Sequence, residues 1–271
     1  MNRSARVETL FCRRQELRQL RMAVQERESR LVWGPADSGK TALIGAVIDG
    51  LSEEQQRSCV SWTGPASTRQ FLVHLVSRLY GAGDAFVQRK VHTDGETRAS
   101  LNRWLGKQSS LRLRGILLTA LAESDCRLFL DHFPPVTHHM ARLMKDIMYR
   151  GGTPIYLVAR GYSQKEVGYA WSLYWNDRLR IYVGSLTKRS ARVLLEACIH
   201  KFSLESTDLG KVRKEVLRLS DHLPGSIVKM CELAADPRYH YGGQIKMELV
   251  HVDYRMRSNR PAFPHGMNFP Q

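Results

Sequence analysis

Short apolar runs alternate along this chain with longer stretches in which apolar residues recur every three or four positions. The short runs predict strands, and the longer stretches predict helices. Strands are expected at residues 31–33, 58–62, 128–131, 154–159 and 180–183. Strands that alternate with helices of this length indicate a parallel sheet covered on both faces. The predicted fold class is therefore α/β, with a three-layer αβα core.

Helical periodicity is found at residues 12–28, 41–51, 68–79, 109–122 and 136–149. Residues 82–96 are mixed and polar, and they predict a mobile loop. Trp171, Tyr174 and Trp175 have the i, i+3, i+4 spacing of one helix face, which packing explains better than base stacking.

The pattern becomes wholly helical from Lys188 onward, with turns between the helices. We therefore predict a core domain at residues 1–185 and a small helical lid at residues 186–240. The remaining residues, 241–271, are expected to form a partly disordered C-terminal tail with one short strand or helix near residues 245–252.

Composition narrows the class of protein. No stretch approaches the roughly 20 apolar residues of a membrane span, and the N-terminus lacks an apolar secretory core. The five cysteines are scattered without a C-x-x-C pair, which indicates neither a zinc site nor a disulfide framework. These features predict a reduced, cytoplasmic protein with no membrane partner.

The formal net charge of +15 is large for 271 residues. Such a charge attracts the phosphates of nucleic acids. The basic residues are nevertheless spread along the chain, so solvated helix faces explain them as well. Contact with DNA or RNA, including double-stranded DNA, therefore remains one of two open interpretations of this charge.

One eight-residue segment carries the strongest chemical signal. It fits the phosphate-loop pattern G-x-x-x-x-G-K-[ST] and consists of Gly34, Pro35, Ala36, Asp37, Ser38, Gly39, Lys40 and Thr41. A predicted strand precedes this segment and a predicted helix follows it, which is the context that the pattern requires. Backbone N–H groups of the loop would converge on a triphosphate. Lys40 would reach the β- and γ-phosphates, and Thr41 would ligate Mg²⁺. The sequence therefore predicts binding of a nucleoside triphosphate, with ATP as the first choice.

Asp37 is unusual inside such a loop, because a carboxylate facing the phosphates would repel them. We expect its side chain to point away from the nucleotide, to solvent or as a local turn acceptor.

A second carboxylate lies at the end of a later apolar run. Leu128-Phe129-Leu130-Asp131 has the form of a Walker B strand, in which Asp131 would hold Mg²⁺ beside the phosphate loop. A buried strand that happens to end in a polar residue is the alternative. The separation from Lys40 leaves room for an additional strand.

Two arginines are candidates for contact with the γ-phosphate. Arg160 closes the strand expected beside Asp131, where it could sense the nucleotide; the alternative is a surface arginine. Arg150 ends the preceding helix and could enter a neighbouring subunit as an arginine finger. Arg142 and Lys145 on the same helix weaken that second assignment.

Together these segments resemble AAA+-type P-loop ATPases, in the branch that contains STAND ATPases and origin-recognition ATPases. The stretch from Phe11 to Leu20 resembles the F-x-G-R-x-x-E-L-x-x-L opening, with Cys12-Arg13 where glycine is usual. Pro154–Arg160 resembles the arginine-ended strand of STAND proteins. His222-Leu223-Pro224-Gly225 resembles the G-x-P motif of the helical lid, with His222 in place of glycine.

The resemblance covers roughly residues 10–235 and implies specific roles. Pro224 would contact the adenine side of the nucleotide and link nucleotide state to the lid. In many hydrolytic relatives a second acid follows the Walker B aspartate, whereas this chain has His132. An imidazole can accept a proton but is a less usual base here, so slow or partner-dependent ATP hydrolysis is expected. A loop histidine without a catalytic role is the alternative.

Three interpretations of function follow. The first is an ATP-driven switch or regulator that self-associates or acts on an effector protein supplied in trans. The second is a DNA-associated AAA+ ATPase, similar to origin-recognition or transposition-regulator ATPases. The third is a degenerate nucleotide-binding scaffold that never hydrolyses ATP. The presence of Lys40, Thr41 and Asp131 argues against loss of nucleotide binding but says little about hydrolysis.

Overall fold

The computed structural model describes residues 13–63, 67–94, 100–159, 161 and 163–258. The chain divides into two compact units, Met1–Gly184 and Ser185–Gln271. Arg160, Phe11 and Cys12 lie outside the described residues, as does the end of the predicted tail after Ser258. Within the described ranges, no helix combines the length and the apolar content needed to cross a bilayer.

Helices and strands alternate along the first unit. In chain order they are α1 (Arg14–Gln25), β1 (Arg30–Trp33), α2 (Lys40–Asp49), α3 (Glu53–Arg57), β2 (Cys59–Thr63), α4 (Thr68–Gly81), α5 (Ala85–Thr93), α6 (Leu101–Lys107), α7 (Ser110–Ala122), β3 (Arg127–Phe133), α8 (His138–Tyr149), β4 (Ile155–Ala159), α9 (Gln164–Val167), α10 (Ala170–Leu173) and β5 (Arg180–Tyr182). The five strands form one parallel sheet in the order β2-β3-β4-β1-β5. The predicted α/β fold class is thus confirmed, and β4 is the additional strand between β1 and β3.

The sheet is buried on both faces, which explains why its strands are apolar at nearly every position. Successive side chains point to opposite faces. Leu128 and Leu130 belong to the core on one face, whereas Phe129 belongs to the core on the other. Helices α1 and α2 cover the face of Phe129, and α4, α7 and α8 cover the opposite face. The result is a three-layer αβα arrangement.

The predicted mobile loop at residues 82–96 is wrong in its central part, which forms helix α5. The side chain of Asp84 caps this helix by accepting a hydrogen bond from the N–H of Val87 at 2.8 Å. Val87 and Val91 lie one turn apart and are fully buried. The two buried valines and the cap stabilise this helix. The polar residues between the valines hide the helical pattern in the sequence.

The predicted helix through Trp171, Tyr174 and Trp175 is also corrected. Helix α10 ends at Leu173, so Trp175 lies beyond the helix and is 71% exposed. Tyr174 is fully buried and donates a hydrogen bond to the carbonyl oxygen of Ile155 at 3.0 Å. Trp171 contacts Trp33 edge to face at 5.0 Å between ring centroids. Packing therefore explains two of these three aromatic residues.

The second unit is mainly helical. It consists of α11 (Lys188–Lys201), α12 (Leu209–Leu219), α13 (Pro224–Ala234), a two-stranded antiparallel pair of β6 (His240–Tyr241) and β7 (Gln244–Ile245), and α14 (Met247–Ser258). Helix α14 occupies most of the segment predicted as one short strand or helix of the tail. Pro224 is the first residue of α13, the position where proline is favoured because its missing N–H is not needed.

Candidate nucleotide-binding site

The phosphate-loop segment connects β1 to α2 at the carboxyl end of the sheet. Gly34 has a φ of 145°, and a Cβ at this position would lie 2.1 Å from the carbonyl oxygen of Val183. Gly39 caps α2 with a φ of 95°. Asp37 also adopts a positive φ, 61°, in the left-handed region that aspartate tolerates better than most residues. The backbone thus requires glycine at Gly34, where the loop approaches the end of β5.

The ammonium group of Lys40 lies inside the loop. Its Nζ donates hydrogen bonds to the carbonyl oxygens of Gly34 at 2.8 Å and Pro35 at 2.6 Å, and it lies 3.5 Å from Ser38 Oγ. Burial lowers the pKa of Lys40 to about 8, whereas the charges of Asp131 and Asp37 oppose this shift. A phosphate could replace the two carbonyl oxygens as the partner of this cation.

Asp131 and His132 lie near the carboxyl end of β3, beside the phosphate loop. Asp131 is buried, and its Oδ1 accepts a hydrogen bond from the backbone N–H of His132 at 2.7 Å. His132 Nε2 lies 3.3 Å from Thr41 Oγ1 and 3.7 Å from Asp131 Oδ2. The structure therefore brings the pair Lys40 and Thr41 close to the pair Asp131 and His132, although the two pairs are 91 positions apart in the sequence.

His132 interrupts the regular pairing of β3. The register between β3 and β4 shifts between Leu130 and Phe133, and His132 has a φ of 53°. A β-bulge of this kind redirects a side chain, and bulges are over-represented beside active sites. The ring of His132 thereby reaches the hydroxyl of Thr41 at the start of α2.

Thr41 and Asp131 offer oxygen atoms of the kind that Mg²⁺ prefers, a hydroxyl and a carboxylate. Among the described residues, no group of three or more His, Cys, Asp or Glu side chains is placed to hold a metal. The donor set therefore fits an ion that binds together with nucleotide phosphates, which would supply the remaining oxygen ligands.

Arg13 is a site residue that the sequence analysis missed. Its side chain is 6% exposed, and its guanidinium donates hydrogen bonds to the carbonyl oxygens of Ser38, at 3.1 Å, and of Gly184. It also pairs with Glu16 at 2.9 Å. The signal in the sequence is the position of Arg13 in the opening motif, where Cys12-Arg13 stands in place of the usual glycine.

The roles of the other predicted site residues stay predictions. Arg150 is the exposed C-cap of α8, and its role as an arginine finger stays a prediction. Arg160 lies outside the described residues, so its role as a nucleotide sensor also stays a prediction. Pro224 belongs to the second unit, and its contact with adenine is likewise untested.

Solved structures share this fold. The Walker-type ATPase PABY2304 of Pyrococcus abyssi is 16% identical, covers 91% of this chain and 71% of its own, and has a TM-score of 0.55. The ORC1 protein of Aeropyrum pernix, solved in complex with DNA, is 13% identical, covers 91% of this chain and 65% of its own, and has a TM-score of 0.54. No protein family matches the sequence. No curated protein matches it either.

These similarities, with the parallel sheet and its loop-bound lysine, define the fold as that of a P-loop NTPase. At such low identity they show the fold alone. Function must be argued from the site itself.

Proposed function

We propose that this chain binds ATP with a divalent metal ion at the loop of residues 34–41 and acts as a nucleotide-dependent switch of AAA+ or STAND type. The observation that carries the proposal is the position of Lys40, a buried cation that donates hydrogen bonds to oxygen acceptors of the loop. Such a cation becomes better satisfied when the charged oxygens of a phosphate replace neutral carbonyls. The N-terminus of α2 adds backbone N–H groups that favour the same anion.

The contacts of Arg13 suggest how binding would be transmitted. Arg13 binds both the carbonyl of Ser38 in the loop and the carbonyl of Gly184, the last residue of the first unit. A loop that shifts when phosphates displace Lys40 would alter the first of these two hydrogen bonds. Nucleotide state would thus reach the point where the chain leaves the first unit, which is what a switch acting on a lid or an effector protein requires.

Hydrolysis is proposed to be slow or dependent on a partner. His132 follows Asp131, but its Nε2 faces the hydroxyl of Thr41 at 3.3 Å. A general base has to be within hydrogen-bond reach of the attacking water instead. Arg150 and Arg160 are proposed as the groups that a neighbouring subunit or the nucleotide would engage.

Equilibrium binding of a fluorescent ATP analogue tests the central claim. Lys40→Ala should weaken binding by at least about tenfold, because a charge-assisted contact to phosphate is lost. Lys145→Ala, which removes an exposed lysine on α8, is the matched control and should bind as the unaltered protein does. Equal affinity of all three proteins would contradict the proposal.

A basic groove in the second unit favours a second candidate function, that of a DNA-associated ATPase. The groove has a volume of about 460 Å³ and lies between α11 and α12. It is lined by Lys188, Arg192, Leu195, Glu196, Gly210, Arg213, Lys214, Leu217 and His222. Its charged side chains are mostly cations.

The one carboxylate of the groove is already neutralised. Glu196 accepts two hydrogen bonds from Arg213, at 2.7 and 2.9 Å, and this contact lowers the pKa of Glu196. Within the described ranges, Lys188, Arg192 and Lys214 form no ion pair, so their charges remain available for phosphate oxygens. Lys188 and Arg192 are one helical turn apart on α11 and follow the groove.

The salt dependence of binding to duplex DNA tests this second candidate. Replacement of Lys188, Arg192 and Lys214 by glutamate should weaken DNA binding. It should also reduce the slope of the logarithm of the DNA association constant against the logarithm of salt concentration by about 3. The control reverses three exposed cations of the first unit, Arg142, Lys145 and Lys165, with the same change in net charge. Equal losses in both triple variants would assign the effect to net charge and remove the groove as a DNA site.

A further inference from the structure

The position of His132 has a consequence for which metal ion the site accepts. His132 lies in a β-bulge with a φ of 53°, a backbone conformation that side chains other than glycine rarely adopt. Residues held in sparsely populated conformations cluster at functional sites. Here the bulge places an imidazole nitrogen at the hydroxyl of Thr41.

The imidazole nitrogen of His132 lies close to two oxygen atoms. His132 Nε2 lies 3.3 Å from Thr41 Oγ1 and 3.7 Å from Asp131 Oδ2. The other oxygen of Asp131, Oδ1, is occupied by the backbone N–H of His132 at 2.7 Å. Two ligands at right angles around an ion with bonds of about 2.1 Å lie about 3 Å apart. The separation of the hydroxyl and the imidazole nitrogen is close to that value.

The chemistry of the donor atoms differs from an all-oxygen site. Mg²⁺ demands octahedral geometry and is bound through carboxylates, phosphates and water. Imidazole nitrogen suits transition metals, while oxygen ligands suit Mg²⁺, Ca²⁺ and Mn²⁺. Mn²⁺ is a transition metal that also suits oxygen ligands, so it accepts this mixture of ATP phosphates, a threonine hydroxyl and an imidazole nitrogen more readily than Mg²⁺ does.

We propose that His132 Nε2 and Thr41 Oγ1 ligate the same divalent ion when ATP is bound, and that this site prefers Mn²⁺ to Mg²⁺. The proposal rests on the proposed binding of ATP and names the metal of that same site. His132 then acts as a metal ligand that determines cofactor specificity. A nitrogen occupied by the ion is not available as a general base, which is consistent with the slow hydrolysis proposed above.

The direct test is pulsed electron paramagnetic resonance of Mn²⁺ added with a non-hydrolysable ATP analogue. Coupling of the manganese electron spin to a ¹⁴N nucleus is expected for the unaltered protein and for His138→Gln, which changes an exposed histidine at the start of α8. The coupling should disappear in His132→Gln. Because the spectrum of the unaltered protein is itself decisive, the test does not depend on the folding of a variant.

Calorimetric titration provides the second measurement. The affinity for the manganese–nucleotide complex should exceed that for the magnesium complex by about tenfold or more in the unaltered protein, and this ratio should collapse in His132→Gln. His132→Glu, which supplies an oxygen donor, should shift the preference towards Mg²⁺.

The two proposals fail in different ways. Equal affinity for both metal complexes with no ¹⁴N coupling, while Lys40→Ala still weakens nucleotide binding, would overturn the role of His132 and leave the ATP proposal intact. Loss of the coupling in His138→Gln but not in His132→Gln would also overturn it. Binding of neither complex would reject the ATP site itself and the metal proposal with it.

Discussion

The guanidinium of Arg13 donates a hydrogen bond to the carbonyl oxygen of Ser38, 3.1 Å away in the middle of the phosphate loop. The same group binds the carbonyl of Gly184, a residue 171 positions further along the chain. A residue just before α1 therefore fixes both the loop and the end of the first unit. These contacts join the segment before α1, the phosphate loop and the end of the first unit, which the proposed nucleotide switch would have to coordinate.

Replacement of Arg13 by methionine should lower the free energy of unfolding by about 2 kcal/mol, the value typical of hydrogen bonds to a charged group. The loss arises because the carbonyls of Ser38 and Gly184 and the carboxylate of Glu16 are left without the guanidinium. Urea denaturation gives the stability, and titration with an ATP analogue should show weaker binding by the less ordered loop. Arg18→Met, which removes an exposed arginine of α1, is the control and should be neutral.

Two glycines should respond in opposite directions to alanine. At Gly34 the new Cβ would lie 2.1 Å from the backbone oxygen of Val183, so Gly34→Ala must distort the loop and should abolish ATP binding. At Gly115, an exposed position within α7, a Cβ would meet nothing within 4 Å. Gly115→Ala should therefore raise the free energy of unfolding by about 0.5–1 kcal/mol and leave ATP binding unchanged. Thermal unfolding and nucleotide titration of both variants measure these effects, and a tolerated alanine at Gly34 would contradict the loop geometry.

The fold could be predicted from sequence because its signals are local. Strands β3 and β4 contain continuous apolar runs, Leu128–Leu130 and Ile155–Ala159, and a sheet buried on both faces requires such runs at its centre. The loop of residues 34–41 is recognisable because its glycines meet backbone requirements that few other residues can satisfy.

The arrangement of the site depends on relationships that sequence does not display. The bulge at His132 has no glycine or proline to mark it, so nothing predicted that this ring would reach Thr41. The contact from Arg13 to Gly184 joins the two ends of the first unit. Helix α5 was missed for the related reason that tertiary burial of Val87 and Val91 outweighs its polar composition.

Stability should depend on pH through His74. Its ring stacks on Trp62 with 5.0 Å between centroids, and within the described ranges its buried Nε2 has no hydrogen-bond partner. Burial, assisted by the charge of Arg78, lowers the pKa of His74 below its usual 6.5. Because the folded state resists protonation, the unfolded state binds more protons as pH falls from about 6.5 towards the lowered value, and stability decreases in that window.

His74→Phe keeps a ring against Trp62 but removes the titrating group. The variant should therefore lose less free energy of unfolding than the unaltered protein when pH is lowered from about 7.5 to about 5.5. Urea denaturation at both values gives the difference, with His200→Gln as the control at an exposed histidine of α11. Parallel losses in all three proteins would show that His74 does not contribute to this acid sensitivity.

The cap of α5 provides a test of why this helix exists. Asp84 accepts a hydrogen bond from the N–H of Val87 at 2.8 Å, and its negative charge also interacts favourably with the N-terminus of the helix. Asp84→Ala removes both contributions and should lower the free energy of unfolding by about 1 kcal/mol, whereas Asp84→Asn retains the hydrogen bond and should lose less. Val87 and Val91 belong to the core on the sheet face opposite α2, so neither variant should alter ATP affinity. Urea denaturation with parallel nucleotide titration separates the two effects, and an alanine variant as stable as the asparagine variant would show that valine burial alone maintains α5.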